Sequence, residues 1–594
     1  MKMTVGIPST TGAPDQSGLW QRLMAYDWAR DWVEWQKQIW AGHPLSKLIP
    51  LDAAEVLRAW LEFTELLASR PALAEKHLSM LLVEQSRLAL WAWRRARGEV
   101  AEEPVAPSSR DRRFQDPDWS QLLPFSTLRQ WYLLWSRWLG QTTEAAGAGR
   151  PDAPRIAFYL RQWVDALCPA NFPATNPVVL RETLQSRGEN LERGLKNLAF
   201  DLRHGAISVV PGGRFRPGHN LALTPGDVVL RNELMELIQY APATDTTHAV
   251  PLLIIPPWIN RYYVLDMRPG MSLVEYLAAQ DFAVFLISWR NPDVSQSTLG
   301  FEDYLRLGPL EALTAIKDIA GSSKVNLAGY CIGGTLLGIA LAFLAARRDT
   351  SVASATFLTT LLDFTDVGET KLFLSDDQLA EIEHRMNAKG YLSPEEVSSI
   401  FRLMRSNDLI WNFVVNNYLL GKEPPAFDLM HWSVDGTRLP RAMHEYYLYN
   451  MYLRNNLARP GALKLLGRKI DLRRVRCPAY IVAGLEDHIV PWRAAYRIAE
   501  LITGKARVVL GNAGHITSIV TPPGPGKATY LAGDAGSDDG DSWRQGATPH
   551  DGSWWPDWTA WLAEHSGGRQ APIARGSTRY PPLEPAPGRY VLES

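Results

Sequence analysis

The sequence predicts an α/β fold, a mostly parallel sheet covered on both faces by helices, with a mainly helical domain before it. Three observations lead there. Short apolar runs recur from residue 250 onward, at 250–255, 282–287, 325–328, 355–358, 480–482 and 507–510. Helical patterns lie between several of them, notably over 308–319, 332–346 and 493–502. Strands alternating with helices pair in parallel, and their crossovers put helices on both faces. The third observation is a change of texture. Residues 17 to about 145 show no such alternation and read as helix.

The division this gives is a helical N-terminal domain over 1–215 and an α/β domain over 216–594. At 594 residues the chain exceeds one ordinary core, so two or three folding units are expected. The helical domain is rich in tryptophan, with 12 of the 23 before residue 140. Trp28, Trp32 and Trp35 fall on one helical face. Such a face either packs into a helical core or contacts another subunit or a hydrophobic particle. The stretch Gly98 to Ser109 is small, acidic and proline-rich, and reads as a linker. Residues of about 361–475 are aromatic and mostly helical in pattern, and form an insertion over the sheet. The tail of about 522–553 is rich in Gly, Pro and Asp and reads as a loop.

Composition removes several function classes. Lys+Arg of 62 against Asp+Glu of 63 gives a net charge of −1, so charge offers no case for nucleic acid as the main partner. Cys168, Cys331 and Cys477 are far apart and odd in number, which implies neither a disulfide framework nor a CxxC metal pair. The first residues lack the apolar run of a secretory signal. A cytoplasmic, reducing setting is expected. Neither HExxH nor GxxxxGK[ST] occurs, and no metal or other cofactor is expected. Leu327–Ala346 is uncharged and long enough for a bilayer. It opens with Gly329, Gly333 and Gly334, however, and closely spaced glycines suit a sharp turn, so no membrane span is expected.

That turn carries the chemistry. Gly329-Tyr330-Cys331-Ile332-Gly333 follows a strand pattern and precedes a helix pattern, the context of a nucleophile elbow with Cys in place of Ser. The nucleophile of such a turn sits in strained backbone, so its neighbours must be small. The helix N-terminus behind it favours a thiolate. The backbone N–H of Ile332 is then placed for an oxyanion. This arrangement calls for an acid and then a histidine further along. Asp487 lies just past the strand 480–482, where ligands bind in open α/β sheets. His515 lies on the loop after the strand 507–510. His515 can take the proton of Cys331, and Asp487 can orient the imidazole. His488 reads as structural. The second oxyanion donor is sought after the run 250–255, where Pro256 and Pro257 have no N–H and Ile259 is the candidate.

These motifs and several longer ones resemble polyhydroxyalkanoate synthases, specifically the single-subunit kind acting on short-chain hydroxyacyl-CoA. The resemblance runs from about Arg112 to the C-terminus. It rests on Asn220-Leu221-Ala222-Leu223-Thr224-Pro225-Gly226, Gln239-Tyr240-Ala241-Pro242, Pro256 to Tyr262, Ser288-Trp289-Arg290-Asn291-Pro292-Asp293 and Gly329 to Gly334. Further along it rests on Asn407-Asp408-Leu409-Ile410-Trp411-Asn412, Tyr452-Leu453-Arg454-Asn455-Asn456, Asp487 to Trp492 and Gly552-Ser553-Trp554-Trp555-Pro556. Departures occur at His431-Trp432-Ser433 and Thr521, away from the three site residues.

The resemblance implies an α/β-hydrolase fold with a helical lid at about 361–475, and Cys331, Asp487 and His515 as nucleophile, carboxylate and histidine. It implies that (R)-3-hydroxyacyl-CoA, with 3-hydroxybutyryl-CoA the expected substrate, is polymerised to polyester with release of CoA. It also implies a homodimer, association with polyester granules, and phasin contact through the N-terminal region. Two other functions suit the same residues: a thioesterase or polyester depolymerase on the same fold, or a non-catalytic granule-coating protein.

Overall fold

The computed structural model describes residues 31–33, 35, 42–43, 45–108, 111–374, 376–536 and 539–593. Two compact units emerge. One comprises the chain up to Pro211 together with Phe401–Pro425. The other comprises Gly212–Ile400 and Ala426–Ser594.

The first unit is helical. Asp52 caps α1 (Ala53–Ala68) by accepting from the N–H groups of Ala54 and Glu55. The α1 face of Val56, Ala59, Phe63 and Leu66 is buried, a helical spacing. Then come α2 (Pro71–Ala96), α3 (Leu123–Gly147), α4 (Ala153–Ala166) and α5 (Glu189–His204). Arg155 of α4 pairs with Glu55 at 2.9 Å and with Glu62, joining α4 to α1. Between α2 and α3 the stretch 99–108 forms no helix or strand. It is nevertheless tethered, because Gln130 both accepts from the Val105 N–H (2.8 Å) and donates to the Val105 carbonyl (2.9 Å). Trp32 and Trp35 are exposed, and Trp28 lies outside the described residues.

Residues 401–425, in the middle of the segment the sequence presents as an insertion over the sheet, pack in this helical unit. Gly194 of α5 is required there, because a Cβ would sit 1.9 Å from the Tyr418 carbonyl oxygen. The Tyr418 hydroxyl donates to Asp201 at 2.6 Å, Asn190 donates to the Leu419 carbonyl at 2.8 Å, and Gln162 donates to the Leu403 carbonyl at 2.9 Å.

The second unit is built on an eleven-stranded sheet. Its strands are β1 (Gly226–Arg231), β2 (Met235–Tyr240), β3 (Leu252–Ile255), β4 (Val284–Trp289), β5 (Val325–Tyr330) and β6 (Val352–Leu358), then β7 (Ala479–Gly484), β8 (Ala506–Gly511), β9 (Thr529–Asp534), β10 (Thr548–Asp551) and β11 (Glu584–Pro585). They lie in the order β10-β9-β8-β7-β6-β5-β3-β4-β2-β1-β11. The six strands β4-β3-β5-β6-β7-β8 are parallel, and antiparallel strands extend both edges. The parallel strands are almost wholly buried and read as continuous apolar runs, as sheets covered on both faces do. Among the covering helices, α6 (Glu311–Ala320) and α7 (Ile332–Ala346) follow in chain order, and α7 is buried from Ile332 to Leu344.

After β6 the chain leaves the sheet for the insertion. Within this unit it includes α8 (Asp376–Lys389), whose Leu379, Ile382 and Met386 join the core beside Leu392, Leu439 and Met443. The tail that reads as a loop contains β9 and β10. The alternating burial of Thr529–Asp534 and the antiparallel pairing with β8 hold β9 in place despite its Gly and Asp.

Candidate active site

The uncharged stretch Leu327–Ala346 is a strand, a turn and a helix. Cys331 occupies the single residue between β5 and α7, with φ +54° and ψ −124°. A non-glycine residue held there costs about 1–3 kcal/mol, which the surrounding packing must offset. That packing is visible in the glycines. A Cβ on Gly329 would meet Gly334 Cα at 2.5 Å, and one on Gly333 would meet the Ile255 carbonyl oxygen at 2.2 Å. The Cys331 N–H donates to the Leu358 carbonyl at 2.9 Å, and the Cys331 carbonyl accepts from Gly334 (2.9 Å) and Thr335 (3.2 Å). The backbone is therefore fixed while the thiol is half-buried.

Asp487 and His515 emerge side by side because Gly484, ending β7, is in register with Gly511, ending β8. His515 Nδ1 lies 2.7 Å from Asp487 Oδ2. Asp487 Oδ1 accepts from the N–H groups of Ile489 and Val490, both at 2.8 Å. Both carboxylate oxygens are thus committed. With Nδ1 held by Asp487, Nε2 remains for the Cys331 sulfur, which hydrogen-bonds the imidazole. Burial opposes charge on His515, but the Asp487 carboxylate and the Cys331 sulfur outweigh it and raise its pKa to about 10. The three residues predicted from sequence are brought together at the carboxyl edge of the sheet.

Ile332 is the first residue of α7, where an N–H has no carbonyl in the preceding turn of helix to bond. The loop after β3 lies against the elbow through Ile255 and Pro256, as the Gly333 contacts require. Ile259 is anchored through its carbonyl, which accepts from the Thr437 N–H at 2.9 Å. His488 is half-buried beside Asp487, and its carbonyl faces Gly368.

Sequence reasoning expected an aromatic insertion over the sheet but did not single out the aromatic side chains around the site. The Tyr330 ring stacks on His515, centroids 5.6 Å apart. Tyr447 is buried and Tyr452 half-buried; they hydrogen-bond one another and lie near Cys331. Burial raises both phenols, so they remain neutral donors. Phe364 packs on both rings. Tyr452 lies in the Tyr452–Asn456 motif, which was a usable signal. Tyr447 has no such mark.

Parallel strands flanking an elbow cysteine, with an acid after β7 and a histidine after β8, have the layout of the α/β-hydrolase class, and residues 250–522 match that fold. Residues 110–277 match the N-terminus of the poly-beta-hydroxybutyrate polymerase family (PhaC). The chain is 41% identical over 572 residues to the poly(3-hydroxyalkanoate) polymerase subunit PhaC of Cupriavidus necator, covering 94% of each chain. It is 44% identical over 516 residues to the poly(3-hydroxyalkanoate) polymerase of Methylorubrum extorquens, covering 85% of each. It is 42% identical over 497 residues to poly(3-hydroxyalkanoate) polymerase 2 of Ectopseudomonas oleovorans, covering 83% of this chain and 88% of that one. The chain belongs to the poly(3-hydroxyalkanoate) polymerase family, a family of acyltransferases. Among the described residues no helix is long and apolar enough to cross a membrane.

Proposed function

We propose that the chain polymerises short-chain (R)-3-hydroxyacyl-CoA, with 3-hydroxybutyryl-CoA as the main substrate, through an acyl group carried on Cys331. The observation that carries this reading is the buried Asp487–His515 pair facing a cysteine in a strained elbow. The Cys331 thiolate attacks the thioester carbonyl, and the C–S bond to CoA breaks as His515 gives its proton to the departing sulfur. One thioester replaces another, so the acyl group stays activated. Neutral His515 then accepts the proton of the 3-hydroxyl of the next unit as that oxygen attacks the acyl carbonyl, and the thiolate is restored. His515 suits this step better than Asp487, because both Asp487 oxygens are already occupied. The N–H groups of Ile332 and Ile259 would receive the oxyanion. The reaction balances without a resident cofactor, since CoA enters and leaves with the substrate.

The aromatic surround of Tyr330, Tyr447, Tyr452 and Phe364 supports exclusion of water, the competing nucleophile. In this reading the enzyme is a cytoplasmic homodimer working at the surface of polyester granules, with phasin contact through its helical unit. The test is CoA release from (R)-3-hydroxybutyryl-CoA by wild type and Cys331→Ala, with the product analysed. Release together with insoluble polyester, both absent in the variant, is expected. Release with free 3-hydroxybutyrate alone would make the enzyme a thioesterase instead.

A further inference from the structure

Beyond the carboxyl end of β4 lies a cleft of about 700 Å³ that the chemistry above does not use. Arg290, Asn291, Lys389, Tyr391, Arg438 and Glu593 line it, with Asp293 at its edge. Three cations thus face two carboxylates. Arg290 Nε is 3.3 Å from Glu593, and Lys389 Nζ is 3.7 Å from Glu396. The Arg438 guanidinium lies over the Tyr391 ring, 5.5 Å from its centroid, and donates to the Pro292 carbonyl at 3.4 Å. The Arg290 and Lys389 pairs are partly exposed, and solvated pairs of this kind hold their partners weakly. A phosphate brings more charge and more acceptor oxygens than a carboxylate and competes well for such groups. Asp293 is turned to other use, accepting from the Ser295 N–H (2.7 Å) and hydroxyl (2.5 Å).

The cleft is also connected to the elbow. Strand β4 neighbours β3, and β3 neighbours β5, so two strand spacings, about 10 Å, separate the two strand ends across the sheet. The Trp289 indole donates to the Pro256 carbonyl at 2.8 Å. The ribbon that bridges the loop beside the elbow, Asn260 to Gly436 and Ile259 to Thr437, continues directly into Arg438. The Arg438 N–H is in turn bound by Asn291 at 2.9 Å.

We propose that this cleft receives the phosphorylated nucleotide end of the acyl-CoA, while the pantetheine arm follows the 256–260 loop to Cys331. Arg290, Lys389 and Arg438 hold the phosphates, and the Arg438–Tyr391 pair offers a flat cationic and aromatic face to the base. This rests on the acyl-CoA reading of the site. The test compares (R)-3-hydroxybutyryl-CoA with (R)-3-hydroxybutyryl-pantetheine, which lacks the nucleotide, on wild type, Arg438→Ala and Lys389→Ala. The ratio of kcat/KM for the CoA thioester to that for the pantetheine thioester should fall tenfold or more in Arg438→Ala and severalfold in Lys389→Ala. An unchanged ratio in both variants would overturn the proposal, including one in which both substrates lose equally. Should wild type turn over neither thioester, the polymerase reading itself fails. Calorimetric binding of CoA then decides the cleft alone, which stands if both variants bind CoA at least severalfold more weakly and falls if they bind it as wild type does.

Discussion

His515 Nδ1 and Asp487 Oδ2 are 2.7 Å apart, and the other oxygen of Asp487 is held by two backbone N–H groups. The carboxylate therefore cannot rotate away from the imidazole without breaking both backbone bonds. Asp487→Asn keeps an oxygen for Ile489 and Val490 but turns an amide N–H₂ toward His515, forcing the wrong tautomer. We expect kcat to fall about 10³–10⁴-fold with the fold intact, measured by CoA release and circular dichroism. A loss of less than tenfold would mean that Asp487 does not set the imidazole.

Cys331→Ala should lower CoA release by at least about 10³-fold. In wild type briefly exposed to (R)-3-hydroxybutyryl-CoA, mass spectrometry of the digested protein should place the acyl adduct on the peptide containing Cys331. An adduct on Cys168 or Cys477, or none at all, would count against the covalent route.

Because the pKa of His515 is raised above its ordinary 6.5 to about 10, its ion pairs contribute stability that is complete below pH 6.5. That contribution disappears as the pH climbs through about 10. The Tm advantage of wild type over His515→Gln should thus be largest in mildly acidic buffer and shrink steadily into the alkaline range. An advantage that grows with pH would reverse the sign of the argument.

Gly333→Ala would drive a methyl to 2.2 Å from the Ile255 carbonyl oxygen, a backbone atom that cannot swing aside. A loss of about 3 kcal/mol is expected, with activity lost alongside stability. Gly526→Ala, where a Cβ meets nothing within 4 Å, should leave Tm within about 1 °C. Similar Tm values for the two variants would show that the elbow tolerates a shift of β3.

Much of this architecture was legible locally. The six parallel strands announced themselves because burial on both faces leaves unbroken apolar runs, and 332–346 matched α7. The elbow was readable because closely spaced glycines between a strand pattern and a helix pattern mark a sharp turn, and Asp487 and His515 because each follows a strand end. The edge strands were not. Gly226–Arg231 mixes charge with Val and Leu, and β9 carries Gly and Asp, so only their partners across the sheet make them strands. Tyr447 and the placement of 401–425 were hidden for a different reason. Both depend on contacts between residues far apart in sequence, which a reading of local pattern does not reach.

Gly194 against Tyr418 has a further consequence for the wiring of the chain. The polypeptide passes from one unit to the other at 211/212, at 400/401 and again at 425/426. No single cut separates them. A fragment starting at Gly212 would still carry 401–425, including the buried Ile410 and Phe413, without the rest of the unit they belong to. On a ribosome, moreover, the helical unit waits for its last piece until the 189 residues of 212–400, which belong to the other unit, have been made. Helix bundle and catalytic unit are therefore spliced, and neither can be completed, shed or exchanged in evolution as a simple terminal block.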